Sequence, residues 1–214
     1  AITKVLIDLS PTSGGFYSLG TPQVFAGDFD FRWEYVTTAS SVNQTVLSSG
    51  DVADFLRLKN IGDPSTRSLS VRISNNEVEV PINFGNDGKF NNFKVTRVGS
   101  LISVYLNNLL QGTVNTAWSG NSFTINEMGR LSSNNLQAFD GIISDVKLTD
   151  ITTPANSLEF KLDELTANTE TNNGVTLTYN NIGTGTSVRN TYVLSNGGTQ
   201  YISDLRTIDI AAQA

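Results

Sequence analysis

The sequence predicts an all-β protein, built as a two-sheet antiparallel sandwich with minimal helix. Three observations carry that prediction. The stretch from Phe90 to Val114 reads as three consecutive antiparallel strands joined by tight turns at Gly99-Ser100 and Asn107-Asn108. The segment GDFDFRWEYVT, from Gly27 to Thr37, alternates aromatic and charged residues with the period of a strand. No 3.6-residue periodicity is sustained over ten or more residues, so no long amphipathic helix is expected.

The elements follow in order. Thr3 to Leu9 places Val5, Ile7 and Leu9 on alternate positions and reads as an opening strand. Pro11 to Gly15 is a turn cluster. Phe16 to Leu19 is a short strand, ended by Gly20 and Pro22. In the next strand Phe29, Phe31, Trp33 and Tyr35 share one face, and Asp28, Asp30, Arg32 and Glu34 share the other. Four aromatics on one face could bury roughly 150–250 Å² each. Asn43 to Ser49 is a strand, and Asp51 to Lys59 a helical turn running into a strand at Phe55–Leu58. Arg67 to Ile73 and Glu77 to Ile82 form a hairpin through Ser74-Asn75-Asn76, with Pro81 marking a strand end or an edge. Gly85 to Lys89 is a loop. In the central meander, Phe93 to Val98 alternates as a half-buried strand. Asn107-Asn108 suits a two-residue hairpin loop, because Asn tolerates left-handed backbone. Phe123-Thr124-Ile125, Gly129-Arg130-Leu131 and Gly141 to Leu148 are further strands. After Asp150 the texture changes: strands are expected at Leu158–Leu162, Val175–Tyr179, Tyr192–Leu194 and Ile208–Ile210. Asp163 to Gly174 is expected to be polar loop. The predicted organisation is a sandwich over residues 1–150 and a β-rich extension over 151–214. The extension has too few apolar residues for its own core and is expected to pack on the sandwich or on a neighbouring subunit.

Composition narrows the function classes. The chain has 214 residues, a length at which a sandwich folds as one domain. Charged residues are 16%, below the roughly 25% of an average domain, and Ser, Thr and Asn fill the gap. The formal charge is −6 with scattered Lys and Arg, which disfavours nucleic acid and anionic membranes as partners. With no cysteine, disulfide frameworks, zinc ribbons and thiol catalysis are excluded, and a bacterial or viral source is expected. With no histidine, Ser-His-Asp catalysis, His general bases and His metal sites go too. No run of 18 apolar residues exists, so no membrane insertion is expected. The opening AITKVLIDLS does not read as a signal peptide.

The succession of GDFDFRWEY, a Phe-x-Val-x-Arg strand, a Gly turn, Val104-Tyr105-Leu106-Asn107-Asn108 and finally Phe139-Asp140-Gly141-Ile142-Ile143-Ser144-Asp145-Val146 resembles the laminin-G-like branch of the concanavalin A-like lectin/glucanase superfamily. The resemblance covers about residues 16 to 150. It implies a jelly-roll of two curved sheets, binding glycans or proteins at a sheet edge or concave face, often near Ca²⁺. Leu158-Glu159-Phe160-Lys161-Leu162-Asp163-Glu164 looks like tails that follow such domains in bacteriophage and bacterial surface proteins.

The glucanase branch of that superfamily carries alternating acids on one strand. Asp28-Phe29-Asp30-Phe31-Arg32-Trp33-Glu34 is the nearest match, but Arg32 stands between the acids and lowers a neighbouring carboxyl, the wrong direction for a general acid. No catalytic residue is therefore assigned. Asp30, Arg32 and Glu34 form either a solvated ion-pair face or a glycan-binding face. Trp118, in a Gly/Ser/Asn-rich loop, is a candidate for stacking on a sugar ring with Asn121 holding hydroxyls, or else closes the sandwich rim. For Ca²⁺, Asp51, Asp54, Asn86, Asp87 and Asp140 lie in or beside loops without a regular motif. Asp140 is the position the resemblance favours; turn Asp and Asn also hydrogen-bond their own backbone. The expected function is a non-enzymatic structural or adhesive module of a phage virion or bacterial surface. It would serve as a capsid decoration, spike or fibre component, a homo-oligomer meeting cell-surface glycan or other surface proteins. The alternative is a secreted glycan-active enzyme, with Glu34 its foremost carboxylate, or a carbohydrate-binding module.

Overall fold

A computed structural model describes residues 2–9, 15–37, 43–83, 90–116, 120–131, 137–162, 169–180, 190–196 and 199–203. The strands are β1 (Ile2–Leu9), β2 (Phe16–Phe25), β3 (Phe29–Val36), β4 (Asn43–Ser48), β5 (Phe55–Lys59) and β6 (Ser68–Ile73). They continue as β7 (Asn76–Pro81), β8 (Asn91–Val98), β9 (Leu101–Leu106), β10 (Leu109–Asn115), β11 (Phe123–Met128) and β12 (Gly141–Asp150). The last are β13 (Leu158–Phe160), β14 (Thr169–Asn172), β15 (Val175–Asn180), β16 (Asn190–Asn196) and β17 (Thr199–Ser203). The one helical element among the described residues is a 3₁₀ turn at Pro154–Asn156.

The strands form two antiparallel sheets. One runs β10-β9-β8-β3-β12-β1-β16-β17, with β13 also on β12; the other runs β14-β15-β2-β11-β4-β5-β6-β7. The all-β sandwich read from the sequence is the observed architecture. Its core is an aromatic seam. Phe29, Phe31, Trp33 and Tyr35 are at most 1% exposed, as the alternation of β3 requires. Phe31 stacks on Phe29 at 4.1 Å and meets Phe25 and Phe123 of the second sheet edge-on, at 4.7 and 5.6 Å. Trp33 and Tyr35 stack on Phe93 of β8 at 5.3 and 5.2 Å, and Phe139 meets Tyr35 edge-on.

Turn chemistry explains the hairpins. Asn107 and Asn108 have φ of 50° and 65°, and Ser74 and Asn75 have 48° and 68°, both pairs left-handed as the right-handed strand twist demands. The β6–β7 loop is Ser74-Asn75; Asn76 already pairs with Ile73. Pro81 ends β7, which is an edge strand and can spare the missing donor.

Four expectations are corrected. β2 does not stop at Leu19. It runs to Phe25, because Gln23 pairs with Ile125 and Ser18 with Glu127, so Gly20 and Pro22 sit in a bulge where a ladder donor is not needed. Asp51–Asp54 is a series of bends rather than a helical turn, since Asp51 accepts from Ser49 and from the Ala53 amide. Gly129-Arg130-Leu131 is not a strand: Gly129 at φ 90° leaves the ladder after β11. β14 lies within the stretch read as loop, turning into β15 through Asn173 and Gly174 at φ 49° and 76°. β16 contains the predicted Tyr192–Leu194 strand and pairs with β1. The loop Gly85–Lys89 and the strand Ile208–Ile210 lie outside the described residues, and β17 was not anticipated.

Strands from beyond Asp150 complete both sheets. β13 pairs with β12 and β15 with β2, and they bury Leu158, Phe160, Leu162 and Leu177 at 0–2% exposure. Each such side chain is worth about 1.5–3 kcal/mol, against a total stability of roughly 5–15 kcal/mol. A fragment ending at Asp150 is accordingly expected to show no cooperative thermal transition by circular dichroism. A melt like that of the whole chain would contradict this account. Gly141 gives a second test. Its φ is 142°, and a Cβ there would lie 2.0 Å from the Val36 carbonyl oxygen. Gly141→Ala should lower stability by about 2 kcal/mol or more, read from the midpoint of chemical denaturation.

Candidate functional site

The side of the first sheet that faces away from the seam is polar, and the site lies there. Strand alternation decides which residues share it. Asp30, Arg32 and Glu34 project from β3 opposite Thr96, Lys94 and Asn92 of β8. On the other side of β3 they face Thr149, Lys147 and Ser144 of β12. A concavity of about 240 Å³ opens over this face, lined by Arg32, Glu34, Asn92, Lys94, Asn108 and Asp145 among others. That is less than the roughly 300–1,000 Å³ of pockets that enclose a drug-sized ligand. A ligand would lie across it instead of being engulfed.

Two local devices shape it. Between Ser144 and Lys147 the β12 register shifts, and Asp145 takes φ 46° while its amide donates to the Lys161 carbonyl. This bulge brings Asp145 to the concavity that Glu34 also lines, a common use of bulges beside sites. On β3, Arg32 donates from Nε and Nη2 to the two carboxylate oxygens of Asp30, each at 2.7 Å. That bidentate bond raises the Arg32 pKa and commits Asp30. Lys161 pairs with Asp145 at 3.3 Å and with Glu159 at 2.9 Å. The Lys94 ammonium lies 3.7 Å from the centre of the Tyr105 ring, in cation–π contact.

The residues named from the sequence distribute as follows. Arg32 and Glu34 line the concavity, with Asp30 bound to Arg32. Asn121 lies at the opposite end of β3, where its carbonyl accepts from Arg97 beside the Gly99 turn. Trp118 lies outside the described residues. Asn92, Lys94, Asn108 and Asp145 were missed. The first two alternate with Phe93 and Val95, and pairing β8 with β3 would have found them; Asp145 needed the bulge.

For calcium, the acids considered are mostly engaged. Asp54 is 5% exposed and accepts from the amides of Ser74 and Thr124; burial raises its carboxyl nonetheless. Asp51 caps its own turn, and Asn86 and Asp87 lie outside the described residues. Asp140, half-buried, has its carboxyl raised by desolvation, while its backbone carbonyl accepts from Thr37 at 2.6 Å. Among the described residues no group of three acidic side chains converges. Ca²⁺ takes six to eight oxygens, from carbonyls, amides and water as well as carboxylates, and Asp140 would supply one carboxylate toward such a set. No helix among the described residues is long and apolar enough to cross a membrane.

No protein-family model matches the sequence, and no curated protein matches it. Solved structures do match the fold. A candidate carbohydrate-binding protein from Bacteroides ovatus superposes with a TM-score of 0.62 at 15% identity, over 84% of this chain and 58% of its own. A heptameric SAP-like pentraxin from Limulus polyphemus gives 0.56 at 13% identity, over 70% of this chain and 78% of its own. Domains LG4-5 of the mouse laminin alpha1 chain give 0.50 at 14% identity, over 82% of this chain and 46% of their own. This chain thus spans little more than half the length of the Bacteroides protein. Its fold is the concanavalin A-like jelly-roll sandwich.

The site can be altered without unfolding the protein. The Arg32 side chain is 56% exposed, and exposed pairs contribute little. Arg32→Ala should change stability by less than about 1 kcal/mol. Arg130 and Glu127, paired at 2.6 Å with side chains at 10% and 9% exposure, are the contrast. Glu127→Ala leaves a buried guanidinium unpaired and should cost about 3 kcal/mol or more in the same denaturation measurement.

Proposed function

We propose that this chain is a non-catalytic glycan-binding module whose binding surface is the polar face around Arg32. The observation that carries the reading is the chemistry of the concavity. Asn92 and Asn108 offer amides, Arg32 and Lys94 donors, and Glu34 and Asp145 acceptors, over a shallow opening in a rigid sheet. Sugar hydroxyls are both donors and acceptors, and such a mixed set suits them. A sandwich held by an aromatic seam presents these groups with little reorganisation, which lowers the ordering cost of binding. The Bacteroides protein of the same fold, a candidate carbohydrate binder, supports this direction.

The setting we propose is a phage particle or bacterial surface, with the module in an oligomeric spike, fibre or decoration. The cysteine-free, acidic, Asn/Ser/Thr-rich composition supports it. Calcium at Asp140 belongs to the same proposal only as a condition to vary. One observation favours a second reading, glycan hydrolysis: two carboxylates, Glu34 and Asp145, line one concavity. Against it, Asp145 is paired with Lys161 and Asp30 with Arg32.

Thermal-shift measurements with a panel of bacterial polysaccharides, in Ca²⁺ and in EDTA, test both readings. A ligand at a hundredfold excess over Kd stabilises by about 2.7 kcal/mol. Binding by the wild type, lost in Arg32→Ala while the unliganded melt is unchanged, is the expected result. Reducing ends released by the wild type but not by Glu34→Gln would establish the enzyme instead.

A further inference from the structure

Across four strands the outward residues fall into one row. Tyr105 of β9 is opposite Lys94 of β8, Lys94 opposite Arg32 of β3, and Arg32 opposite Lys147 of β12. Three cations therefore stand side by side in a protein whose formal charge is −6. Like charges directly opposite one another destabilise a sheet. Four cations elsewhere on the sandwich have carboxylate partners: Arg57 with Glu77, Lys59 with Glu79, Arg130 with Glu127 and Lys161 with Asp145. Within the row only Arg32 has one, the Asp30 carboxylate of its own strand. Among the described residues Lys94 and Lys147 form no ion pair. Lys94 rests on the Tyr105 ring, and Lys147 is exposed with Glu159 beyond it on β13.

We infer that the row Lys94–Arg32–Lys147 is the subsite for the acidic groups of an anionic glycan, one bearing carboxylates or sulfates; this rests on the glycan-binding reading above. Lys94 and Lys147 stand on the two strands flanking β3, their backbones about 10 Å apart by two strand spacings of about 4.8 Å. A polymer with repeated negative groups, lying across the strands, meets both. Hydroxyl and amide groups border the row on each side. Thr96 and Thr149 stand in register with Asp30 on one side; Asn92 stands in register with Glu34 on the other. The acids Glu34 and Asp145 lie beside the row, where they accept from neutral hydroxyls and leave the ammonium groups to the anions.

The test is affinity electrophoresis of the full chain, in EDTA, through gels holding polygalacturonate or its fully methyl-esterified form, and dextran sulfate or dextran. Retardation by an anionic polymer with free passage through its neutral counterpart is expected; which anion retards separates carboxylate from sulfate. Lys94→Gln and Lys147→Gln should each weaken retention about tenfold, equivalent to about 1.4 kcal/mol. Lys147→Gln should melt at an unchanged or higher temperature, since it removes a repulsion in the row; in Lys94→Gln that gain is offset by the lost cation–π contact with Tyr105. Lys59→Gln, which makes the same charge change on the other sheet, should leave retention unaltered. Equal retardation by acid and ester, or a loss in Lys59→Gln matching that in Lys147→Gln, would overturn the acidic subsite while leaving glycan binding in place. Free passage through all four gels would overturn the acidic subsite, while the polysaccharide panel decides the glycan-binding reading.

Discussion

Phe31 is the contact on which the sandwich depends. It is stacked on Phe29 within its own strand and meets Phe25 and Phe123 from the opposite sheet, so one ring joins both layers. Trp33 and Tyr35 extend the seam through Phe93 to Phe139. Aromatic pairs of this kind add about 0.5–1.5 kcal/mol each beyond the area they bury. The Phe139-Asp140-Gly141 motif acquires a physical role here. Phe139 caps the seam, and Gly141 lets β12 approach the Val36 carbonyl more closely than any side chain would permit.

The seam also creates the candidate site. A strand that commits every second residue to the core must present the others outward, and β3 is fixed on both sides by β8 and β12. Arg32 and Glu34 are therefore held by a strand paired along both edges, not by a loop. The bulge at Asp145 is a local departure from regularity beside β3, and it adds a carboxylate while Val146 and Leu148 stay buried. Fold alone does not decide function on such a scaffold. The pattern of charges and amides on the outward face is what distinguishes this chain from another sandwich.

The sequence alone was enough for the two-sheet class, the aromatic face of β3, the meander and its Asn turns. Each depends on a period of two or on a local backbone preference, and both are written in neighbouring residues. Composition likewise removed histidine and cysteine chemistry without any structure. Half of the candidate site was legible for the same reason: Asp30, Arg32 and Glu34 alternate on one strand. The rest depended on which strands become neighbours. Lys94 and Lys147 lie more than fifty residues apart, and only the pairing of β8 and β12 with β3 sets both beside Arg32. The continuation of β2 through Pro22 and the turning of Asp145 came from bulges, where a register shift between strands overrides local preference. The dependence of both sheets on strands beyond Asp150 was decided in the same way, by edges of β12 and β2 that only tertiary pairing could fill.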